Sequence, residues 1–207
     1  MNDRILSQVQ EYYDDKLQTH GATARGVDWN SAESQELRFV QLARLIDGGR
    51  AFSVNDYGCG YGPLVDYLER SSYQFQYVGF DISTKMIAKA HELYRHATYL
   101  RFTSDRDRLP QADYTLASGI FNVKLNIEDA TWKDYMLEVL ETMNSLSRIG
   151  FAFNALTKYS DVEFMRSDLY YADPLFCFDY CKTRYSKYVT LLHDYPLYEF
   201  TILVRKE

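Results

Sequence analysis

Residues 52–62 read FSVNDYGCGYG: an apolar run that ends in an acid and three alternating glycines. The run Ala51 to Tyr57 is strand-like, and Pro63 to Arg70 reads as a helix with proline in its first turn, where the missing N–H costs nothing. Gly58, Gly60 and Gly62 can take backbone conformations closed to other residues and let the chain approach a ligand. In an open α/β sheet, such a loop lies at the carboxyl end of a strand, where ligands bind. A glycine triplet also serves a tight strand-to-helix turn, so the next element decides. A second strand-like run, Phe75 to Phe80, ends in Gly79-Phe80-Asp81-Ile82-Ser83. A carboxylate at that point, about 20 residues beyond the loop, can accept both hydroxyls of a ribose. Glycine loop and strand-end acid together imply an adenosine-type ligand.

Working outward, strands and helices alternate. Ser83 caps a helix running to about His96, with Met86, Ile87, Ala90, Leu93 and Tyr94 on one face. Tyr99 to Thr103 and Tyr114 to Ala117 are the third and fourth strands. Asp129 to Leu146 is a long amphipathic helix and Ile149 to Asn154 a fifth strand. Pro174 to about Arg184 is helical. Lys187 to Leu192 and Leu197 to Val204 are β-rich runs joined by four residues, which makes them antiparallel neighbours. The expected fold is a three-layer αβα, Rossmann-like sheet, mostly parallel with a C-terminal antiparallel hairpin strand. Ahead of it, Ile5 to Leu17 and Ser31 to Ile46 read as helices around a loop containing Gly21 and Gly26. Residues 1–46 are expected to form a helical cap and 47–207 the sheet domain.

The bulk composition narrows the classes. The chain has 207 residues, 46% hydrophobic and 25% charged, which suits an ordinary globular domain. Its net charge is −6, and its densest basic run, Arg101 to Arg108, is broken by two aspartates. That argues against nucleic acid as a partner. No run of eighteen apolar residues points to a membrane span, and the N-terminus lacks signal-peptide order, so a cytoplasmic location is expected. Cys59, Cys177 and Cys181 have no complementary Cys/His pair, so no metal site is expected and buried free thiols are. Of 19 tyrosines, eight fall between Tyr159 and Tyr198. They suit core and edge packing, or an aromatic acceptor pocket.

The loop spacing selects among adenosine ligands. The dinucleotide fingerprint G-x-G-x-x-G needs glycine where Pro63 stands. Asp56, just before the loop, is a poor neighbour for pyrophosphate and a good one for an ammonium group. S-adenosyl-L-methionine offers an α-amino group and a sulfonium, and no phosphate. From about Phe52 to Lys206 the sequence resembles the class I S-adenosylmethionine-dependent methyltransferases. The resemblance implies that Asp56, Gly58, Cys59, Gly60 and Gly62 hold the methionine moiety. It places Asp81, followed by Ile82 and Met86, at the ribose, and Asp105 and Arg106 at the adenine. Ser118 and Gly119, in DYTLASGIFN (Asp113 to Asn122), would face the cofactor after the fourth strand. That motif lacks the Asn/Asp-Pro-Pro-Tyr/Phe pattern of amino-methylating enzymes of bases. With the acidic charge, this favours a small-molecule acceptor, hydroxyl first and amine second.

Further candidates are weighed residue by residue. His193, in the hairpin loop, has a pKa suited to a general base and is equally read as an exposed turn residue. Tyr170 and Tyr171 precede Asp173-Pro174 and could contact the acceptor or simply lead into a capped helix. Asn122, Lys124 and Asn154 follow strands and are acceptor contacts or solvated loop residues. Arg38 could pair with the cofactor carboxylate, and Trp29 could pack on the cap. Two rival readings remain: an NAD(P)-dependent Rossmann oxidoreductase, and a non-catalytic S-adenosylmethionine-binding protein.

Overall fold

The computed structural model describes residues 3–206. Seven strands alternate with six α-helices: α1 (Asp3–His20), α2 (Ala32–Ala43), β1 (Phe52–Tyr57), α3 (Pro63–Arg70), β2 (Phe75–Phe80), α4 (Thr84–Leu93), β3 (Leu100–Thr103), β4 (Ala112–Ala117), α5 (Asp129–Leu146), β5 (Ser147–Leu156), α6 (Pro174–Arg184), β6 (Tyr188–Leu192) and β7 (Glu199–Arg205). They form one sheet in the order β3-β2-β1-β4-β5-β7-β6. β7 slots between β5 and β6 and is antiparallel to both, while β1 to β5 pair in parallel. The expected mostly parallel sheet with a reversed C-terminal strand is therefore present.

Alternation along the strands divides the core between two faces. On β5, Phe151, Phe153 and Ala155 pack with Trp132, Met136, Val139, Leu140 and Met143 of α5 and with Cys177 and Cys181 of α6. Ala152 points the other way, into a core with Phe39 and Leu42 of α2 and Leu64, Val65 and Leu68 of α3. The three cysteines are free and buried.

Local signals set the ends. Ser31 accepts the Ser34 N–H at 3.1 Å and Ser34 reciprocates, a capping box that starts α2. Ser83 accepts from Met86 N at 3.0 Å and starts α4. α4 stops at Leu93, short of the predicted His96, and α2 stops at Ala43, short of Ile46. Between β3 and β4 there is only a 3₁₀ turn, Arg106–Arg108. α1 packs beside this crossover: Ile5 joins Val78, Phe80 and Leu109 in the core, and the Ser83 hydroxyl donates to Asp14. No described helix is long and apolar enough to cross a membrane.

Candidate functional site

The carboxyl ends of β1, β2 and β4 converge on a cleft lined by Asp56, Gly58, Gly60, Asp81, Met86 and Gly119. The glycine loop is fastened to β2: Gly58 N and Cys59 N both donate to the Phe80 carbonyl, at 2.7 and 2.9 Å. Gly58 has φ +83°, and a Cβ there would stand 2.2 Å from Ile120 Cγ2. Only glycine combines that backbone with that approach.

Two acids stand in the cleft. Asp81 accepts from Gly60 N through Oδ2 and from Ser83 N through Oδ1, both at 2.8 Å. Each oxygen retains a lone pair for a further donor. Asp56 accepts from the Tyr77 hydroxyl at 2.7 Å. Burial pushes the Asp56 carboxyl up to about 7, against the pull of the Tyr77 bond. Burial pushes Asp81 up to about 6, against its two backbone N–H donors. Two buried polar atoms on the lining lack partners, Ser118 Oγ and Gln35 Nε2. Orphaned polar atoms of this kind are costly in a closed core and are accounted for by a polar ligand.

A second cavity opens beside the first, and the two share Tyr13, Val27, Trp29 and Gly119. Trp29 is the partition. Its indole lies against Gly119 on one side, and the Arg38 guanidinium sits 3.9 Å from its ring centre. Arg38 Nε and Nη2 each donate to Glu199 at 2.8 Å, and Asn122 Nδ2 donates to Glu199 at 3.2 Å. Arg38 and Glu199 are 7% and 1% exposed. This buried pair ties α2 to the start of β7 across the cavity floor.

Of the predicted cofactor residues, Asp56, Gly58, Cys59, Gly60, Asp81, Ile82, Met86, Ser118, Gly119 and Trp29 line the first cleft. Gly62 does not: it caps α3 at φ +93°, close under Tyr94 and Phe102. Asp105 and Arg106 are exposed and off the lining. Asp105 instead caps the 3₁₀ turn, accepting from Asp107 N, and pairs with Arg108 at 3.2 Å. Arg106 interacts with the Tyr57 hydroxyl. Arg38 lines the second cavity, and its fork is already occupied by Glu199 rather than open to a cofactor carboxylate.

Of the predicted acceptor residues, Asn122 and Tyr171 line the second cavity. Tyr170 is turned into the core with Cys177 and Ala172. Lys124 is spent on the Ile127 carbonyl and Asp129, at 3.2 and 3.3 Å. Asn154 is fully buried behind the site, where its Oδ1 accepts from Gly119 N at 2.7 Å and so positions that loop. His193 is exposed and lines neither cavity; its ring packs near Tyr159 and Phe200, with centroids 6.0 and 6.3 Å away. β6 does run parallel to β1–β5, as expected, but it is the edge strand, two strands beyond β5, which carries the loop away from the cleft. Tyr13, Val27, Gln35, Arg166 and Glu199 were not singled out as site residues by pattern. Tyr13, Val27 and Gln35 do fall within residues 1–46, the segment expected to form the cap.

Comparison with known proteins bears on the family and the fold. Residues 54–146 match a family model described as a methyltransferase domain. Over 163 residues the chain is 49% identical to Rv1506c of Mycobacterium tuberculosis (strain ATCC 25618 / H37Rv), a protein named provisionally as a methyltransferase; the match covers 79% of this chain and 98% of that one. Two solved structures share the fold at low identity. One is the DhpI-SAM-HEP complex, with TM-score 0.65, 14% identity and 96% of each chain covered. The other is the N-methyltransferase NodS of Bradyrhizobium japonicum WM9 with S-adenosyl-L-homocysteine, with TM-score 0.64, 14% identity and 95% and 97% covered.

Proposed function

The chain belongs to the class I S-adenosylmethionine-dependent methyltransferases, and from that membership we propose that it methylates the hydroxyl of an uncharged small molecule. The observation that carries this reading is the pair of cavities that meet at Trp29 and Gly119. One is furnished for the cofactor, and the other has room and polar groups for an acceptor.

The residues of the first cleft fit S-adenosylmethionine. Asp81 has lone pairs for the ribose hydroxyls, Asp56 a carboxylate for the α-ammonium, and Ser118 and Gln35 unpaired polar atoms. Asp56 and Pro63 both disfavour a pyrophosphate at this loop, which counts against the dinucleotide reading. When bound, the cofactor supplies a methyl group on a sulfonium, so the departing group is neutral. The protein's task is then to align the acceptor and exclude water. Tyr13 and Trp29, at the junction, are placed to do both. Burial holds the Tyr13 hydroxyl well above its ordinary range, so it stays protonated and acts as a donor.

The second cavity favours a neutral acceptor. Four charged residues line it, and each has an opposite partner. Asp28 pairs with Lys16 at 2.6 Å, Arg38 with Glu199 at 2.8 Å, and Arg166 with Asp168. No charge is left over to balance an ionised acceptor, whose burial would cost several kcal/mol, on the order of the penalty for an unpaired ion. A hydroxyl can exchange hydrogen bonds with Asn122 and Glu199 without such a cost.

The test is S-adenosylhomocysteine release from labelled cofactor across neutral glycosides, phenols, amines and carboxylates. Turnover confined to neutral hydroxyl compounds is expected. Turnover only with amines or acids overturns the acceptor class. Tight cofactor binding without turnover of any acceptor favours the non-catalytic reading.

A further inference from the structure

Resting on the assignment of the second cavity to the acceptor, we propose that the acceptor is an amphiphile, whose hydroxyl-bearing part enters the cavity while an apolar chain lies across Val162, Phe164, Met165 and Tyr198. These four side chains are exposed by 80%, 62%, 36% and 42%. They are not a loose fringe. Val162 and Phe164 belong to a 3₁₀ turn closed by Phe164 N to Asp161 O at 3.0 Å, and Met165 N returns to Val162 O at 3.1 Å. The Tyr198 hydroxyl donates to Asp161 and its ring meets Phe164 at 5.9 Å.

Continuity with the cavity identifies the occupant. Phe164 and Tyr198 line the second cavity and at the same time face solvent. A ligand leaving the cavity past them therefore meets apolar surface. Keeping such side chains in water forgoes roughly 25 cal/mol per Å² of stabilisation, and contiguous apolar surface beside a cleft marks a binding surface.

A second copy of the chain fits the patch poorly. Four side chains are far fewer than the roughly 20 residues a side of a stable interface. A two-fold contact would also set Asp161 and Glu163 of one copy against the same acids of the other, and the chain already carries a net charge of −6.

The test uses protein saturated with S-adenosylhomocysteine and two neutral probes, methyl and octyl β-D-glucoside, the latter kept below micelle formation. Calorimetry should show octyl glucoside binding at least about tenfold tighter, the effect of burying about two methylenes. Val162→Ser combined with Met165→Ser should remove that advantage; neither residue lines a cavity. Equal affinities, failure of octyl glucoside to bind, or an advantage that survives the double substitution would each overturn the inference. So would a dimer, seen by sedimentation, that the double substitution dissociates. Loss of S-adenosylhomocysteine binding would strike the cofactor reading instead, and is scored separately.

Discussion

Trp29 occupies the space that a side chain on residue 119 would need. A Cβ on Gly119 would stand 2.1 Å from Trp29 Cη2 and 2.4 Å from Cζ2, and Gly119 holds φ +73°. The partition between the two cavities thus depends on an aromatic ring from the N-terminal segment meeting a bare backbone at the end of β4. Gly119→Ala should displace the indole and strain the turn, weakening S-adenosylhomocysteine binding by about 1–3 kcal/mol. Pairing it with Trp29→Ala relieves the clash and should restore part of that loss, which calorimetry on the single and double variants reads directly. An additive double variant would mean that the contact does not shape the cleft.

Asp81 anchors both the glycine loop and the cap of α4, through Gly60 N and Ser83 N at 2.8 Å. Asp81→Ala should cost about 1–3 kcal/mol of cofactor affinity by removing charge-assisted bonds. Asp81→Asn keeps one acceptor oxygen and should lose less. If titration of the alanine variant gives the wild-type affinity, the carboxylate has no role in binding.

The lining of the first cleft was legible because its residues are local in the chain. Asp56, the glycine loop and Asp81 lie within 30 residues of one another and at strand ends, where period and turn signals place them. The second cavity was not, because its partners are distant in the chain: Arg38 and Glu199 are separated by 161 positions. Nothing in a single sequence announces that pairing, so Arg38 was read as a cofactor contact. His193 misled for a related reason. The strand direction before it was right, but the distance of that strand from the cleft depends on β7 inserting between β5 and β6. Tyr170 and Tyr171 are adjacent and opposite in role, one in the core and one in the cavity. The tyrosine-rich stretch alone could not separate them.

The Arg38–Glu199 pair gives a stability prediction. Removing one partner leaves a buried charge uncompensated, so Arg38→Met should destabilise the fold by about 3–5 kcal/mol in urea unfolding. Arg38→Met with Glu199→Leu removes both charges and should recover most of that loss. Asn122, which also donates to Glu199, keeps its bond to Leu156 N at 3.1 Å in the double variant. A double variant as unstable as the single one would show that packing against Trp29, rather than charge compensation, dominates.

Proton linkage at Asp56 supplies the last prediction. Its carboxyl is raised from 3.8 to about 7 by burial, and Asp81 is raised from 3.8 to about 6 by the same cause. Between the ordinary value and the raised one, the folded protein holds a proton that the unfolded chain has released. Stability must therefore fall as pH rises through that window. Asp113, Asp168 and Asp173 are shifted the other way, so their contribution is lost only as pH drops below the ordinary carboxylate range. The thermal midpoint of the ligand-free protein should thus decline from about pH 5 to about pH 7, and Asp56→Asn should flatten the decline. A ligand ammonium reverses the balance by favouring the charged carboxylate. S-adenosylhomocysteine should bind more tightly as pH rises through about 7 and should release protons on binding near pH 6.5, seen as a calorimetric enthalpy that varies with buffer. Proton uptake, or a pH dependence of affinity that is the same in the wild type and in Asp56→Asn, would show that Asp56 is ionised before the ligand arrives.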